Sequence, residues 1–119
     1  MAAPVGPYSP IVSAAGLLIT SGQLGLDPAA SAPTLVEGGT PAQLRQALAN
    51  GAALLEAEGA GRTDVVKATV FLTDMGEFQA ANEVWVEFFG EHRPARTAIG
   101  VAALPLGASV EVELWAVAP

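Results

Sequence analysis

Two short apolar runs, Ile11 to Ala14 and Leu17 to Gln23, are split by Gly16 and predict the strands of a hairpin. The second ends at Ser21-Gly22. A glycine there permits a bulge, a close backbone approach to a ligand, or simply a turn. Residues 27–39 read as a surface loop with a short strand at Leu35-Val36. The apolar period then becomes helical: Leu44, Leu48, Ala52 and Leu55 fall on one stripe of a 3.6-residue repeat. Thr40 as N-cap, Pro41 at the first helical position and Gln43 closing a Thr-x-x-Gln capping box predict the start, and Gly59 the stop. Gly51 lies inside this helix, where glycine costs about 1 kcal/mol against alanine. Close packing on a sheet would account for it.

Val65 to Leu72 is β-branched and apolar on both faces except Lys67, the pattern of a central strand covered on both sides. Asp74 and Glu77 predict a second capping box. Phe78, Ala81, Trp85, Phe88 and Phe89 then line one face of a helix ending at Gly90, an aromatic stripe that reads as core. Asn82 sits beside it, either solvated or facing a site. Arg96 to Glu113 carries two apolar runs around Leu104-Pro105-Leu106-Gly107. Proline second and glycine fourth is a type I turn signal, so this stretch predicts a β-hairpin. In its final strand, Ser109 to Val117, Val110, Val112, Leu114 and Ala116 alternate with Ser109, Glu111, Glu113 and Trp115. Strand, strand, helix, strand, helix, strand, strand predicts an α+β layer, a mixed sheet with both helices on one face. Residues 1–119 fit one domain. Before the first strand, residues 1–9 predict a stiff extended arm, its Tyr8 held between Pro7 and Pro10.

Composition adds two expectations. Half of the residues are apolar (51%) and 14% are charged, which is apolar for so small a soluble chain. Surface buried against copies of itself in a symmetric homo-oligomer would explain that. The net charge is −7, with five Lys and Arg. Such a chain lacks the cationic face that displaces counterions from phosphates, so nucleic acid is not an expected partner. There is no cysteine and one histidine, His92, which reads as a solvated residue after a helix. Thiolate chemistry and zinc-thiolate sites are thereby excluded, and with no Asp-x-Asp pattern no metal is expected. No apolar run approaches the ~20 residues of a membrane span and no leader precedes the first strand, which predicts a cytoplasmic protein with no membrane partner.

Neither Gly-x-x-x-x-Gly-Lys nor Gly-x-Gly-x-x-Gly is present, so nucleotide cradling is unsupported. One histidine without cysteine supplies no catalytic triad. It also leaves a two-histidine ribonuclease mechanism impossible within one chain. Arginine and carboxylate remain. Arginine offers a planar fork that matches a carboxylate, and a carboxylate can hold and polarise water. If the predicted hairpin closes with Ala103 opposite Ala108, Arg96, Ala98, Glu111 and Glu113 share a face. Glu111 then lies four residues along from Arg96, roughly 13 Å away. The pair would therefore complete one site only between different subunits. On spacing alone, the alternative is a solvated strand face with surface ion pairs.

Several motifs go further: Gly6-Pro7-Tyr8-Ser9, Thr20-Ser21-Gly22-Gln23, the run Val66 to Met75, Asn82-Glu83-Val84, Phe88-Phe89, Pro94-Ala95-Arg96-Thr97 and Val110-Glu111-Val112-Glu113. Through them the chain resembles the Rid family, the reactive intermediate deaminases, also called YjgF. The resemblance spans nearly the whole chain in the family's order. It implies a chorismate-mutase-like α+β subunit, a homotrimer with sites in the clefts between subunits, and cofactor-free hydrolysis of 2-imino acids to 2-oxo acids and ammonia. Those imines are products of pyridoxal-phosphate enzymes such as threonine and serine dehydratases. By motif, Arg96 grips the substrate carboxylate and Glu111 positions the attacking water. Tyr8, Ser21, Gly22 and Asn82 match pocket-lining positions. Ala98 stands where many members carry a cysteine, and is expected to act through its backbone carbonyl. Glu113 has no role in the motif and reads as structural. His92-Arg93-Pro94 is shorter than the matching segment of some members. The same cleft could instead serve as a sensor or regulatory site for small carboxylates, and some members are described as ribonucleases or translation inhibitors.

Overall fold

The computed structural model describes residues 6–119; the beginning of the expected arm, residues 1–5, lies outside them. Strands β1 (Ile11–Ala14) and β2 (Leu17–Thr20) form an antiparallel hairpin, Ile11 opposite Thr20 and Ala14 opposite Leu17. Ala15 and Gly16 turn it with φ of 52° and 78°, a left-handed pair whose twist matches that of the strands. Helix α1 (Gly39–Ala57), strand β3 (Val65–Leu72), helix α2 (Phe78–Phe89) and strands β4 (Ala95–Gly100) and β5 (Val110–Val117) follow. The sheet order is β1-β2-β5-β3-β4, with β4 parallel to β3 and the other neighbours antiparallel. Leu44, Leu48 and Leu55 of α1 and Val84, Trp85 and Phe89 of α2 bury against Leu18, Val70, Val110, Val112 and Leu114. Both helices therefore lie on one face of a mixed sheet, as the element order predicts.

Several local expectations hold. β3 has the predicted bounds, and β5 buries Val110, Val112, Leu114 and Ala116. Gly51 is needed where α1 crosses the sheet: a β-carbon there would lie 2.8 Å from Cδ1 of Leu114.

The predicted hairpin between Arg96 and Glu113 does not form. β3 lies between its two strands, so Val70 has Ala98 on one side and Val112 on the other. The turn signal sits in a short 3-10 turn, Pro105–Gly107, with Leu106 and Gly107 both left-handed. That turn belongs to a connection running from Val101 to Ser109, ample to step across one strand at ~4.8 Å per strand spacing. β3, rich in β-branched residues, gains a partner on each edge. The expectation that β3 is covered on both faces fails within one chain, because the helices cover only one.

Neither predicted capping box is built. α1 starts at Gly39, with Gly38 as N-cap. The buried Thr40 hydroxyl instead shares a 2.8 Å hydrogen bond with the Ser109 hydroxyl, and Oε1 of Gln43 accepts the Ser109 N–H at 2.9 Å. Both polar groups are used to anchor the start of β5. Asp74 caps the 3-10 turn Met75–Glu77 ahead of α2, accepting the Gly76 N–H at 2.8 Å. His92 is not simply solvated. Its Nε2 lies 2.7 Å from the Val65 carbonyl oxygen and its ring 6.0 Å from that of Phe89, which ties the segment after α2 to the start of β3.

Candidate active site

Pleat parity divides the candidate residues into two groups. Arg96 pairs with Ala68, and Glu111 with Phe71. Ala68 and Phe71 are three residues apart on β3, so they point to opposite sides of the sheet. The expectation that Arg96 and Ala98 share a face with Glu111 and Glu113 is thereby overturned. It followed from making β4 and β5 neighbours; inserting β3 changes the register.

The first group lies at the edge of the sheet, on the helix side. β4 is the edge strand, and there Arg96 turns toward α2. Its guanidinium carbon sits 5.2 Å from the ring centre of Trp85 and 5.5 Å from that of Phe78. Burial pulls the Arg96 pKa below its ordinary value, but guanidinium remains charged at neutral pH. Phe78, Asn82 and Trp85 fall at i, i+4 and i+7 of α2, so Asn82 lies on the helix stripe between the two rings. Ala98 is next along β4 on the same side and packs against the rim of the core. Along an edge strand, alternate backbone carbonyls have no strand partner. Ala98 therefore lies where a free carbonyl oxygen is available.

The second group gathers on the open side, near the end of β2. Glu111 and Glu113 are two apart on β5 and point the same way. Burial, and then the charge of Glu113, raise the Glu111 pKa above the usual carboxylate value. After β2 the chain continues beside β5: Gln23 donates its N–H to the Val112 carbonyl at 2.7 Å and accepts that of Val112 at 3.0 Å. This brings Gly22 against Glu111 so closely that a β-carbon at Gly22 would lie 2.5 Å from Oε2. Of the uses open to Gly22, the structure shows a close backbone approach, made to that carboxylate. Ser21 ties in the arm, its hydroxyl donating to the Ser9 carbonyl at 2.6 Å and its N–H to that of Pro10 at 2.8 Å. Tyr8, next to Ser9, is 45% exposed, so its ring is available for contact.

The candidates thus fall into two groups, Tyr8, Ser21, Gly22 and Glu111 along the chain around the end of β2, and Asn82, Arg96 and Ala98 where β4 meets α2. Lys67 shares the open side with Glu111 and donates to the Thr97 hydroxyl at 2.7 Å. Sequence reading missed Phe78 and Trp85 as neighbours of Arg96, because an aromatic stripe at helical spacing reads as core. The available signal was Asn82, a polar residue on that stripe. Among the described residues no three His, Cys, Asp or Glu gather as a metal site, and no helix is long and apolar enough to cross a membrane.

Five mixed strands under two helices give the chain a chorismate-mutase-like α+β fold. A family model described as endoribonuclease L-PSP matches residues 1–118. The chain belongs to that family, the one to which the YjgF and Rid names also apply. A 2-iminobutanoate/2-iminopropanoate deaminase of Capra hircus is 47% identical over 115 residues, covering 97% of this chain and 82% of that protein. The crystal structure of RidA from the Antarctic bacterium Psychrobacter sp. PAMC 21119 matches with a TM-score of 0.90 at 44% identity, over 97% of this chain and 91% of that one. E. coli TdcF, solved with bound serine, matches with a TM-score of 0.89 at 34% identity, over 98% of this chain and 91% of that one.

Proposed function

We propose that this chain hydrolyses 2-imino acids, such as 2-iminobutanoate and 2-iminopropanoate, to 2-oxo acids and ammonia at sites completed between the subunits of a homotrimer. The observation that carries this reading is that Arg96 and Glu111, the two charged groups the chemistry needs, are each held at a defined place, the guanidinium beside the Trp85 and Phe78 rings and the carboxylate against Gly22. Burial also lowers the Arg96 pKa and raises that of Glu111, and displaced pKa values often mark functional groups. The activity in the name of the goat relative supports it. So does the serine held by TdcF, which carries the same α-carboxylate as a 2-imino acid.

The Arg96 fork takes the carboxylate with two parallel hydrogen bonds and so places C2. Glu111 holds a water molecule against C2, aided by the Ala98 carbonyl. Water oxygen forms a bond to C2 of the protonated imine while the C=N π electrons move to nitrogen. Glu111 takes a proton from the attacking water. Nitrogen of the resulting aminoalcohol is protonated, the C–N bond breaks, ammonia leaves, and the hydroxyl proton is lost to give the 2-oxo acid. Opposite faces separate Arg96 from Glu111 within one chain, so a neighbouring copy supplies Tyr8, Ser21, Gly22 and Glu111 to the Arg96 half-site.

Serine in TdcF also favours a second reading, a binding or regulatory cleft for small carboxylates. Ribonuclease action, present in the family description, is disfavoured by the −7 charge. The test is threonine dehydratase with threonine, and semicarbazide competing for the released imine. The chain is expected to suppress semicarbazone and speed 2-oxobutanoate formation, and Arg96→Ala to cut that rate by about a hundredfold or more. A near-full rate in Arg96→Ala rejects the assignment. Binding of 2-oxobutanoate without any acceleration establishes the second reading.

A further inference from the structure

Arg96 raises a positioning problem. A long, rotamer-rich side chain on an edge strand must present its fork in one orientation to be useful. Among the described residues no carboxylate forms an ion pair with it, so a salt bridge does not hold it. What surrounds it is aromatic: the Trp85 ring at 5.2 Å and the Phe78 ring at 5.5 Å, both within cation–π range. Trp85 is only 5% exposed, and its ring lies 4.9 Å from that of Phe89. The indole is therefore a fixed platform, set by the α2 core.

We infer that Trp85 and Phe78 are positioning residues that hold the Arg96 guanidinium between their rings, so that its N–H edge is left free for a planar carboxylate. The inference rests on the reading that Arg96 grips the substrate carboxylate. Ring faces attract the cation without consuming a donor, whereas a neighbouring carboxylate would occupy the N–H groups the ligand needs. A lysine would lack the planar fork that presents two parallel donors. The aromatic stripe of α2 then has two jobs: Phe89 seals the core, while Phe78 and Trp85 orient a charge at its rim.

The test combines steady-state kinetics, 2-oxobutanoate titration and side-chain NMR of the arginine Nε–Hε groups, with Arg96→Lys assigning the Arg96 signal. Trp85→Leu and Phe78→Leu are each expected to raise KM for the imine and Kd for 2-oxobutanoate about tenfold, with kcat within about twofold. Trp85→Phe, which keeps a ring face, should recover most of that loss. The Arg96 Hε signal should move when either ring is removed, as the ring current is lost. Unchanged Kd and unchanged Hε position in folded Trp85→Leu and Phe78→Leu protein overturns the inference, as does a fall in kcat at constant Kd. If Trp85→Leu fails to fold, the half-buried Phe78 position carries the test. An Arg96→Lys variant that binds 2-oxobutanoate as tightly as the native chain instead overturns the underlying role of Arg96. The Hε signal still decides separately whether the rings hold the guanidinium.

Discussion

Glu111 is kept as a carboxylate in a place that disfavours its charge. Burial raises its pKa, and the like charge of Glu113 adds to the effect. A water-holding carboxylate works ionised, so kcat/KM should fall on the acid side at a pH above the ordinary glutamate range. Glu113→Gln removes the second cause and should move that limb to lower pH; a pH–rate profile reads this directly. The folding linkage has the matching sign. A carboxyl whose folded pKa is raised contributes stability that is fully present below the unfolded pKa and is lost as pH rises through the folded value. Glu111→Gln should therefore raise Tm at pH 7.5, by no more than about 3 °C because a half-exposed group is screened, and leave it unchanged near pH 4. The same variant should lose most imine hydrolysis. Equal Tm values at both pH values would sink the electrostatic account. Arg96 and Glu111 were singled out as candidates in the sequence because charged residues are sparse and their motifs specific. The rings around Arg96 were not, since a stripe of aromatics at helical spacing looks the same whether a cation or a leucine lies over its rim.

At the scale of elements, local signals were readable and pairings were not. β1, β2 and β3 match their predicted starts because alternation and β-branching are properties of the run itself. A turn signal says only that the chain reverses, so it could not reveal that β3 would separate β4 from β5. The capping residues of α1 were misread for a related reason: Thr40 and Gln43 meet Ser109, 69 and 66 residues away in the chain. Gly51 shows a tertiary demand that the sequence did disclose, as a glycine where helix propensity argues against one. Gly51→Ala would gain about 1 kcal/mol of helix propensity. The new methyl would meet Leu114, which is fully buried and has nowhere to retreat. Overpacking costs about 1–3 kcal/mol, so the net expectation is a loss of about 1 kcal/mol in urea denaturation. Leu114→Val, which shortens the opposing side chain, should make the same Gly51→Ala change neutral or favourable. A Gly51→Ala chain more stable than the native one would show that α1 is not packed on the sheet as closely as described.

At the scale of the whole molecule, one chain leaves its sheet half finished. The side away from the helices carries Val12, Ile99, Trp115 and Val117, all substantially exposed, consistent with a composition that is 51% apolar. Copies meeting on that side would cover these groups. The proposed mechanism needs an assembly for an independent reason, because Arg96 and Glu111 of one chain face opposite ways. A complementation experiment tests whether copies share the site. Arg96→Ala and Glu111→Gln chains should each be inactive when expressed alone. Co-expressed in equal amounts, they would assemble mixed trimers. In the proposed arrangement the Arg96 position at each cleft would come from one copy and the Glu111 position from its neighbour, each intact half of the time. About a quarter of native activity should therefore return, since the two choices are independent in a closed cyclic assembly. The recovered activity should co-purify with mixed oligomers carrying both affinity tags. If each site lay within one chain, every mixed trimer would remain as inactive as its parents. A recovery near zero, from oligomers shown to be mixed, would reject the shared site and leave only the single-chain geometry in which Arg96 and Glu111 do not meet.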